Sequence, residues 1–292
     1  TIIGDCLRRV ANFLGHDVIA DNHIGDWGTP IGQVIYGWKN NLNESAFNED
    51  PIKELLRLYQ LVKEGFESDP KINAACLEET VKLQSGDDES MSLWNQFKEI
   101  TLSEANKIYS RLDIEFDVTL GESFYHNQLA PLVEDLLAKE IAEISDGAVC
   151  IFSNNELEAK DDPLLVSRDG EWIPVPCMVR KKDGGFNYAT TDIATIDYRV
   201  NELNSDKILY VVDDRQSLHF RQLFEVSRQR EIKTQLHHVS FGKILGEDRK
   251  PFKTREGSVP DLSSVLEEAV QRAKSVVDDK SNGLSEKEKE DV

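Results

Sequence analysis

The chain has 292 residues, of which 39% are apolar and 8% aromatic, and its formal net charge is −20. This composition predicts a folded protein of one or two domains and argues against a disordered chain. The excess of acid argues against a broad nucleic-acid surface, although a local basic patch remains compatible with it. No apolar run approaches the roughly 20 residues that cross a bilayer, so we expect no membrane association.

The cysteines indicate the cellular environment. Cys6, Cys76, Cys150 and Cys177 are scattered along the chain and form no CxxC pair. We therefore expect reduced, mostly buried thiols and no metal site. With no signal peptide in the sequence, a cytoplasmic protein is expected.

The first part of the chain predicts a helix, a strand and a turn-rich loop. Apolar side chains recur at helical spacing in residues 1–14, and "DVIADNHIG" is predicted as a strand. The loop "DWGTPIG" follows and leads into the apolar run "QVIYGW".

Helical patterns dominate the middle of the chain. The stretches "PIKELLRLYQLVKEGF", "SMSLWNQFKEITLSEANKIYSRL" and "LAPLVEDLLAKEIAEI" are amphipathic, and the buried face of the third is predicted to include Ile141 and Ile144. Short strands are predicted at "AVCIF" and "WIPVPCMVR". We interpret residues 43–175 as a mostly helical connective insertion in one α/β domain formed by residues 1–42 and 176–245.

After Pro176 strands and helices alternate. The strands are "CMVRK", "KILYVV" and "LHHVSFG", and the helices are "TTDIATIDYRVNEL", "SLHFRQLFEVSRQR" and "SSVLEEAVQRAKSVV". This alternation predicts a parallel, Rossmann-like sheet covered on both faces. Since ligands bind beyond the carboxyl ends of such strands, the loops that follow them are the candidate site.

The first of these loops leads into "GGFNYATTDIATIDYR", residues 184–199. Thr190 is predicted to cap the helix and Asp192 to lie in its first turn. On one interpretation Asp192 only stabilises the helix start, by roughly 0.3–1 kcal/mol. On the other, Tyr188 and Asp192, four residues apart, face the same space and recognise a cation such as a guanidinium.

Two further loops carry polar and basic side chains. In "VVDDRQSLHF", Gln216 and His219 could contact a ligand, or the segment is an ordinary polar loop. In "EDRKPFKTREGS", Arg249 to Arg255 include four cations in seven residues of an otherwise acidic chain. Such a loop suits polyphosphate, although a solvated basic turn would look the same.

Five stretches together resemble one family. They are "TIIGDCLRRVANFLGHDVIADNHIGDWGTPIG", "LGESFY", "DGGFNYATTDIATIDYR", "YVVDDRQSLHFRQLFEV" and "GKILGEDRKPFKTREGS". Their order and wording closely resemble arginyl-tRNA synthetase, a class I aminoacyl-tRNA synthetase. Pro30 departs from the pattern, because the family usually has Gln there.

The resemblance implies a site and a reaction. Tyr188, Asp192 and Gln216 would contact L-arginine; Asp214, His219, Gly242, Lys250 and Lys253 would contact ATP, which acts with Mg²⁺. Lys250 and Lys253 would also be the catalytic cations of a KMSK-type loop. The enzyme would form arginyl-adenylate and transfer the arginine to tRNA(Arg), with tRNA bound before activation, and it would be a monomer.

The resemblance also implies that the catalytic region is incomplete. The HIGH signature and its strand would precede residue 1, and residues 246–292 would form the KMSK-type loop and a helix that leads to an anticodon-binding domain. We expect most tRNA contacts outside this chain, and no aminoacylation by the 292 residues alone. Two alternatives are a noncatalytic paralogue that binds arginine or nucleotide, and a synthetase for another amino acid.

Overall fold

The computed structural model describes residues 1–242 and 262–280, with side chains up to residue 277. Its first part contains α1 (Ile2–Phe13), β1 (Asp21–Ile24), α2 (Thr29–Asn41), α3 (Glu44–Glu49), α4 (Pro51–Ser68), α5 (Pro70–Gln84) and α6 (Asp88–Arg111). Next come β2 (Val118–Gly121), α7 (Glu122–Ala138), β3 (Glu143–Ser145), β4 (Ala148–Ile151), β5 (Leu165–Arg168), β6 (Glu171–Pro174) and β7 (Cys177–Arg180). The last part contains α8 (Tyr188–Asn201), β8 (Lys207–Asp213), a 3₁₀ turn (Asp214–Gln216), α9 (Ser217–Gln229), β9 (Gln235–Phe241) and α10 (Leu262–Lys280).

The helices of the first part share an apolar core. The run "QVIYGW" lies in α2, whose residues Ile35 and Trp38 pack with Leu55, Leu83 and residues of α6. Helices α2 and α5 approach closely at Gly32, where an added Cβ would lie 2.1 Å from Thr80 Oγ1. Glycine is therefore needed at this crossing.

The strands form small sheets of both kinds. Strand β1 pairs with β2 in parallel, and β8 pairs with β9 in parallel over seven residues. Strands β3, β4 and β7 form an antiparallel sheet, and β5 and β6 an antiparallel pair. The predicted parallel pairing is confirmed for "KILYVV" and "LHHVSFG", but it is wrong for "CMVRK", which pairs antiparallel with β4.

A second core lies around α7, α8 and α9. Its fully buried side chains include Tyr125, Val133, Ile193 and Leu223, which pack with residues of β4, β7 and β8. The predicted burial of Ile144 is wrong, because α7 ends at Ala138 and Ile144 lies on β3 with 69% of its surface exposed. The chain is α/β, with the layered core that this class requires.

The chain divides into two compact units. One contains residues 1–104 and 114–242; the described part of the other contains residues 105–113 and 262–280. In the second unit Arg111 forms a 3.8 Å ion pair with Glu267 of α10. The domain boundaries expected at residues 42 and 175 remain a prediction. Strand β1 lies before residue 42 and strand β2 lies after it, and the two strands pair with each other.

The expectation of mostly buried thiols has a structural counterpart. Cys76, Cys150 and Cys177 are buried as free thiols, whereas Cys6 is exposed. Burial raises the pKa of Cys76 to about 11 and that of Cys177 to about 12, so both are protonated near neutral pH. Among the helices that the structure describes, none is both long and apolar enough to span a bilayer.

Candidate active site

The two parallel strand pairs place polar residues at their carboxyl ends. In the β8–β9 pair Asp213 lies opposite Phe241, so Asp214 and Gly242 leave the sheet side by side. Asp214 is exposed, and among the described residues no atom lies within 4 Å of the position that a Cβ of Gly242 would occupy. Parallel α/β sheets bind ligands beyond this carboxyl edge of their strands.

The β1–β2 pair ends in the same way. Ile24 lies opposite Gly121, so the loop "GDWG" follows one strand and Glu122 follows the other. The carboxylate of Asp26 accepts hydrogen bonds from Ser123 N–H at 3.0 Å and Ser123 Oγ–H at 2.8 Å. These bonds satisfy donors at the start of α7 and fix the loop against this helix.

Helix α8 begins one turn earlier than the sequence suggests. Asn187 is its N-cap, and Asn187 Oδ1 accepts a hydrogen bond from Tyr188 N–H at 2.9 Å. The predicted cap at Thr190 is wrong, because the buried Thr190 hydroxyl donates to the main-chain carbonyl of Val179. Asp192 consequently lies beyond the first turn, and the interpretation that it only stabilises the helix start loses its basis.

Tyr188 and Asp192 meet at the imidazole of His219. His219 Nε2 lies 2.6 Å from Asp192 Oδ2, and the Tyr188 and His219 rings are T-shaped with centroids 4.7 Å apart. The Asp192 side chain keeps 20% of its surface exposed and Tyr188 keeps 58%. Both residues therefore border one accessible space, and α9 supplies the group that orients them.

Gln216 ends the 3₁₀ turn that leads into α9, three residues before His219. It is exposed, as is Asp214 at the start of the same turn. The turn is fixed by Asp213, whose carboxylate accepts hydrogen bonds from Arg215 N–H at 2.9 Å and Arg215 Nε–H at 2.7 Å. Lys250 and Lys253 lie outside the described residues.

Glu122 is a candidate site residue that the sequence reasoning missed. Burial raises the pKa of Glu122 to about 7, and the charges of Asp192 and Asp26 act in the same direction, whereas a hydrogen bond from Trp27 N–H opposes them. Glu122 and Asp192 are thus close enough for their charges to interact. The only feature of the sequence that pointed to Glu122 was its position directly after a strand, in "LGESFY".

His23 on β1 lies within electrostatic reach of Asp192. Burial lowers the pKa of His23, and the charge of Arg199 acts in the same direction, against Asp192. His23 Nδ1 is buried without a hydrogen-bond partner. Arg199 itself is buried and donates to Asp21 Oδ2 from Nε at 3.0 Å and Nη2 at 2.8 Å. This ion pair joins α8 to β1.

The carboxylates of Glu122 and Asp192 lie within electrostatic reach of each other. Two carboxylates near one another raise each other's pKa, because their negative charges repel. A cation bound between them lowers both pKa values again. In residues 1–242 and 262–277, no three or more His, Cys, Asp and Glu side chains are grouped to hold a metal ion.

The sequence of the whole chain matches one family model, described as "tRNA synthetases class I (R), catalytic domain", over residues 1–292. The chain belongs to this family. Among curated members, an arginine–tRNA ligase of Fusobacterium nucleatum is 39% identical over 292 residues, which cover 100% of this chain and 48% of the relative. An arginine–tRNA ligase of Cellvibrio japonicus is 42% identical over 291 residues, covering 98% and 48%.

Solved structures of class I arginyl-tRNA synthetases have a similar fold. The enzyme from Plasmodium falciparum superposes with a TM-score of 0.71 and 29% identity, covering 95% of this chain and 43% of that one. The enzyme from Thermus thermophilus superposes with a TM-score of 0.68 over 98% of this chain and 51% of that one; at 18% identity it supports the fold alone. The chain spans about half the length of the curated relatives it matches.

Proposed function

We propose that the protein is an arginine–tRNA ligase and that the space bordered by Tyr188, Asp192 and Glu122 binds L-arginine. The observation that carries the proposal is the pair of interacting carboxylates beside an exposed phenol, at the carboxyl ends of parallel strands. The identity of 39% and 42% to proteins named arginine–tRNA ligase supports it. Gln216 completes the proposed arginine contacts.

A guanidinium suits this arrangement because it is planar, permanently charged and carries five N–H donors. Two carboxylates can accept from different edges of such a group, and a phenol hydroxyl or ring face can meet a third. The point charge of lysine cannot reach both carboxylates with the same geometry. A neutral ureido group would leave two neighbouring acids without a cation, so we expect a site of this kind to reject both analogues.

The proposed reaction has two steps. A carboxylate oxygen of arginine attacks the α-phosphorus of ATP, pyrophosphate leaves, and arginyl-adenylate forms. A ribose hydroxyl at the end of tRNA(Arg) then attacks the adenylate carbonyl carbon, and AMP leaves. Catalysis of such steps is mostly positioning and charge stabilisation.

The proposed ATP site lies at the carboxyl edge of the β8–β9 pair. Asp214 and Gly242 border this edge, and His219 lies on α9, which follows it. ATP would arrive with Mg²⁺ as part of the substrate. Lys250 and Lys253, which lie outside the described residues, are proposed to bind the phosphates and to stabilise the charge that develops on them.

The division of the chain is also proposed. Residues 1–42 and 176–245 would form the catalytic nucleotide-binding domain, Rossmann-like in its strand order, with residues 43–175 as the connective insertion. Residues 246–292 would hold the KMSK-type loop and a following helix, here represented by α10. The enzyme is proposed to act as a cytoplasmic monomer.

ATP–pyrophosphate exchange by the full-length protein tests the function. With tRNA(Arg) present, we expect exchange with arginine and less than about one thousandth of that rate with lysine or citrulline, since sites built around hydrogen bonds discriminate by 10⁴–10⁵. Isothermal titration calorimetry measures arginine binding in parallel. If arginine binds but no exchange occurs, the protein is a noncatalytic paralogue. Exchange with another amino acid would refute arginine as the substrate.

A further inference from the structure

The loop "GDWG" between β1 and α2 holds the carboxylate of Glu122. The main-chain N–H of Trp27 donates to this carboxylate. One carboxylate oxygen, Glu122 Oε1, lies 3.9 Å from the position that a Cβ of Gly25 would occupy. The placement of the loop therefore sets the placement of a group that the proposed function assigns to arginine.

The side chain of Trp27 is held in turn by a closed ring of hydrogen bonds. Trp27 Nε1 donates to His126 Nδ1 at 2.9 Å, and His126 donates to the main-chain carbonyl of Gln84. Gln84 Nε2 closes the ring by donating to the main-chain oxygen of Trp27 at 3.1 Å. The ring joins the loop to the end of α5 and to α7.

The ring requires a neutral imidazole. An indole N–H is only a donor, so His126 Nδ1 must keep its lone pair and the proton must lie on Nε2. Burial lowers the pKa of His126, which favours the neutral form. The His126 and Trp27 rings also pack in a T-shaped arrangement with centroids 5.3 Å apart, so the contact is directional as well as apolar.

We propose that His126 is a positioning residue for arginine binding. By accepting the indole N–H of Trp27, it fixes the loop whose main chain holds Glu122. His126 itself has no place among the proposed contacts with arginine or ATP, and its effect passes through Trp27. The inference rests on the proposed function, because it concerns how the arginine carboxylate is oriented.

The test compares substitutions that keep or remove the acceptor. In the full-length protein, His126→Leu removes it, whereas His126→Asn places an amide oxygen close to the position of Nδ1. Trp27→Phe removes the donor and keeps an aromatic ring. Steady-state aminoacylation of tRNA(Arg) gives KM for arginine, KM for ATP and kcat, and thermal unfolding is measured on every variant.

We expect His126→Leu and Trp27→Phe each to raise KM for arginine about tenfold, since small displacements of a binding group weaken it strongly. KM for ATP and kcat should stay within about threefold of the unsubstituted protein. His126→Asn should restore KM for arginine to within about threefold. The double variant His126→Leu/Trp27→Phe should be no worse than either single variant, because both remove the same bond.

Three results would overturn the inference. They are an unchanged KM for arginine in His126→Leu, equal defects in His126→Asn and His126→Leu, and equal increases in KM for ATP and for arginine. Equal increases in both KM values would indicate general damage to the fold, and this damage would also lower the unfolding temperature of the variant. Absence of arginine-dependent activity in the unsubstituted protein would instead refute the proposed function, before any substitution is compared.

Discussion

The affinity for arginine should rise with pH, because Glu122 must ionise before it can pair with a guanidinium. Burial and the charge of Asp192 raise the pKa of Glu122 to about 7. Below that pH the free site holds a neutral acid, and the arriving cation must displace its proton. Above that pH the carboxylate is already charged, and binding releases no proton.

The size of the effect follows from one linked proton. The apparent dissociation constant is multiplied by 1 + 10^(pKa − pH), which for a pKa of about 7 is about 11 at pH 6 and about 1.1 at pH 8. Arginine should therefore bind roughly tenfold more weakly at pH 6 than at pH 8. The same linkage makes the folded protein without arginine less stable as pH rises from about 4.5 to 7, since the unfolded chain ionises Glu122 first.

Isothermal titration calorimetry measures both the affinity and the proton. Titrations of the full-length protein at pH 6 and pH 8, each in two buffers with different ionisation enthalpies, should show release of about 0.9 proton at pH 6 and about 0.1 at pH 8. Glu122→Gln should abolish the dependence and weaken binding at pH 8. Glu134→Gln, on the same helix with an exposed side chain paired to Arg180, is the matched control and should behave as the unsubstituted protein.

Equal affinities at pH 6 and pH 8 in the unsubstituted protein would refute this reasoning. A Glu122→Gln variant that kept the tenfold dependence would do the same, since the linked proton would then belong to another group. Either result would remove Glu122 from the proposed arginine contacts.

Three further substitutions test the site and its support. Asp192→Asn should raise KM for arginine about 100-fold and leave KM for ATP within about threefold, because a hydrogen bond to a charged partner contributes about 1.5–3 kcal/mol; a change below threefold would contradict the assignment. Asp21→Asn should lower the free energy of unfolding in urea by about 3 kcal/mol, because it leaves the charge of Arg199 buried without a counter-ion. A loss below 1 kcal/mol would mean that water reaches this pair. Gly121→Ala should lower the free energy of unfolding in urea by roughly 1–3 kcal/mol, because the added Cβ would lie 2.2 Å from the buried carboxylate of Asp26. An unchanged urea midpoint of unfolding would show that this carboxylate can move.

Local patterns were sufficient for the elements that carry the predicted site. The alternation of strands with helices identified "KILYVV" and "LHHVSFG" as β8 and β9, and their parallel pairing followed from the helix between them. Helical spacing put Tyr188 and Asp192 on one face of α8. The same spacing did not reveal where the helix starts, because Asn187 and Thr190 are both able to cap and only the tertiary contact of Thr190 with Val179 decides between them.

The segment "CMVRK" shows why the direction in which a strand pairs was harder to predict than the strand itself. Its residues have strand propensity, but its neighbour is determined by the hairpin of β3 and β4, which returns beside it in the antiparallel sense. The apolar side chain of Ile144 was assigned to a helix for a related reason. The helical period continues past Ala138 in the sequence, whereas the backbone leaves the helix at Lys139.

Glu122 and His126 could not be identified from local patterns because their partners are distant in the chain. Trp27 and His126 are 99 residues apart, and Asp26 and Ser123 are 97 apart. A Glu that follows a strand is usually solvated, and the pKa of Glu122 is unusual because the fold buries this side chain and places Asp192 nearby. The pairing of β1 with β2 makes these contacts, since it aligns the ends of two segments that the helices α2 to α6 separate. Contacts of this kind follow from the pairing of distant segments, so no local sequence pattern could have predicted them.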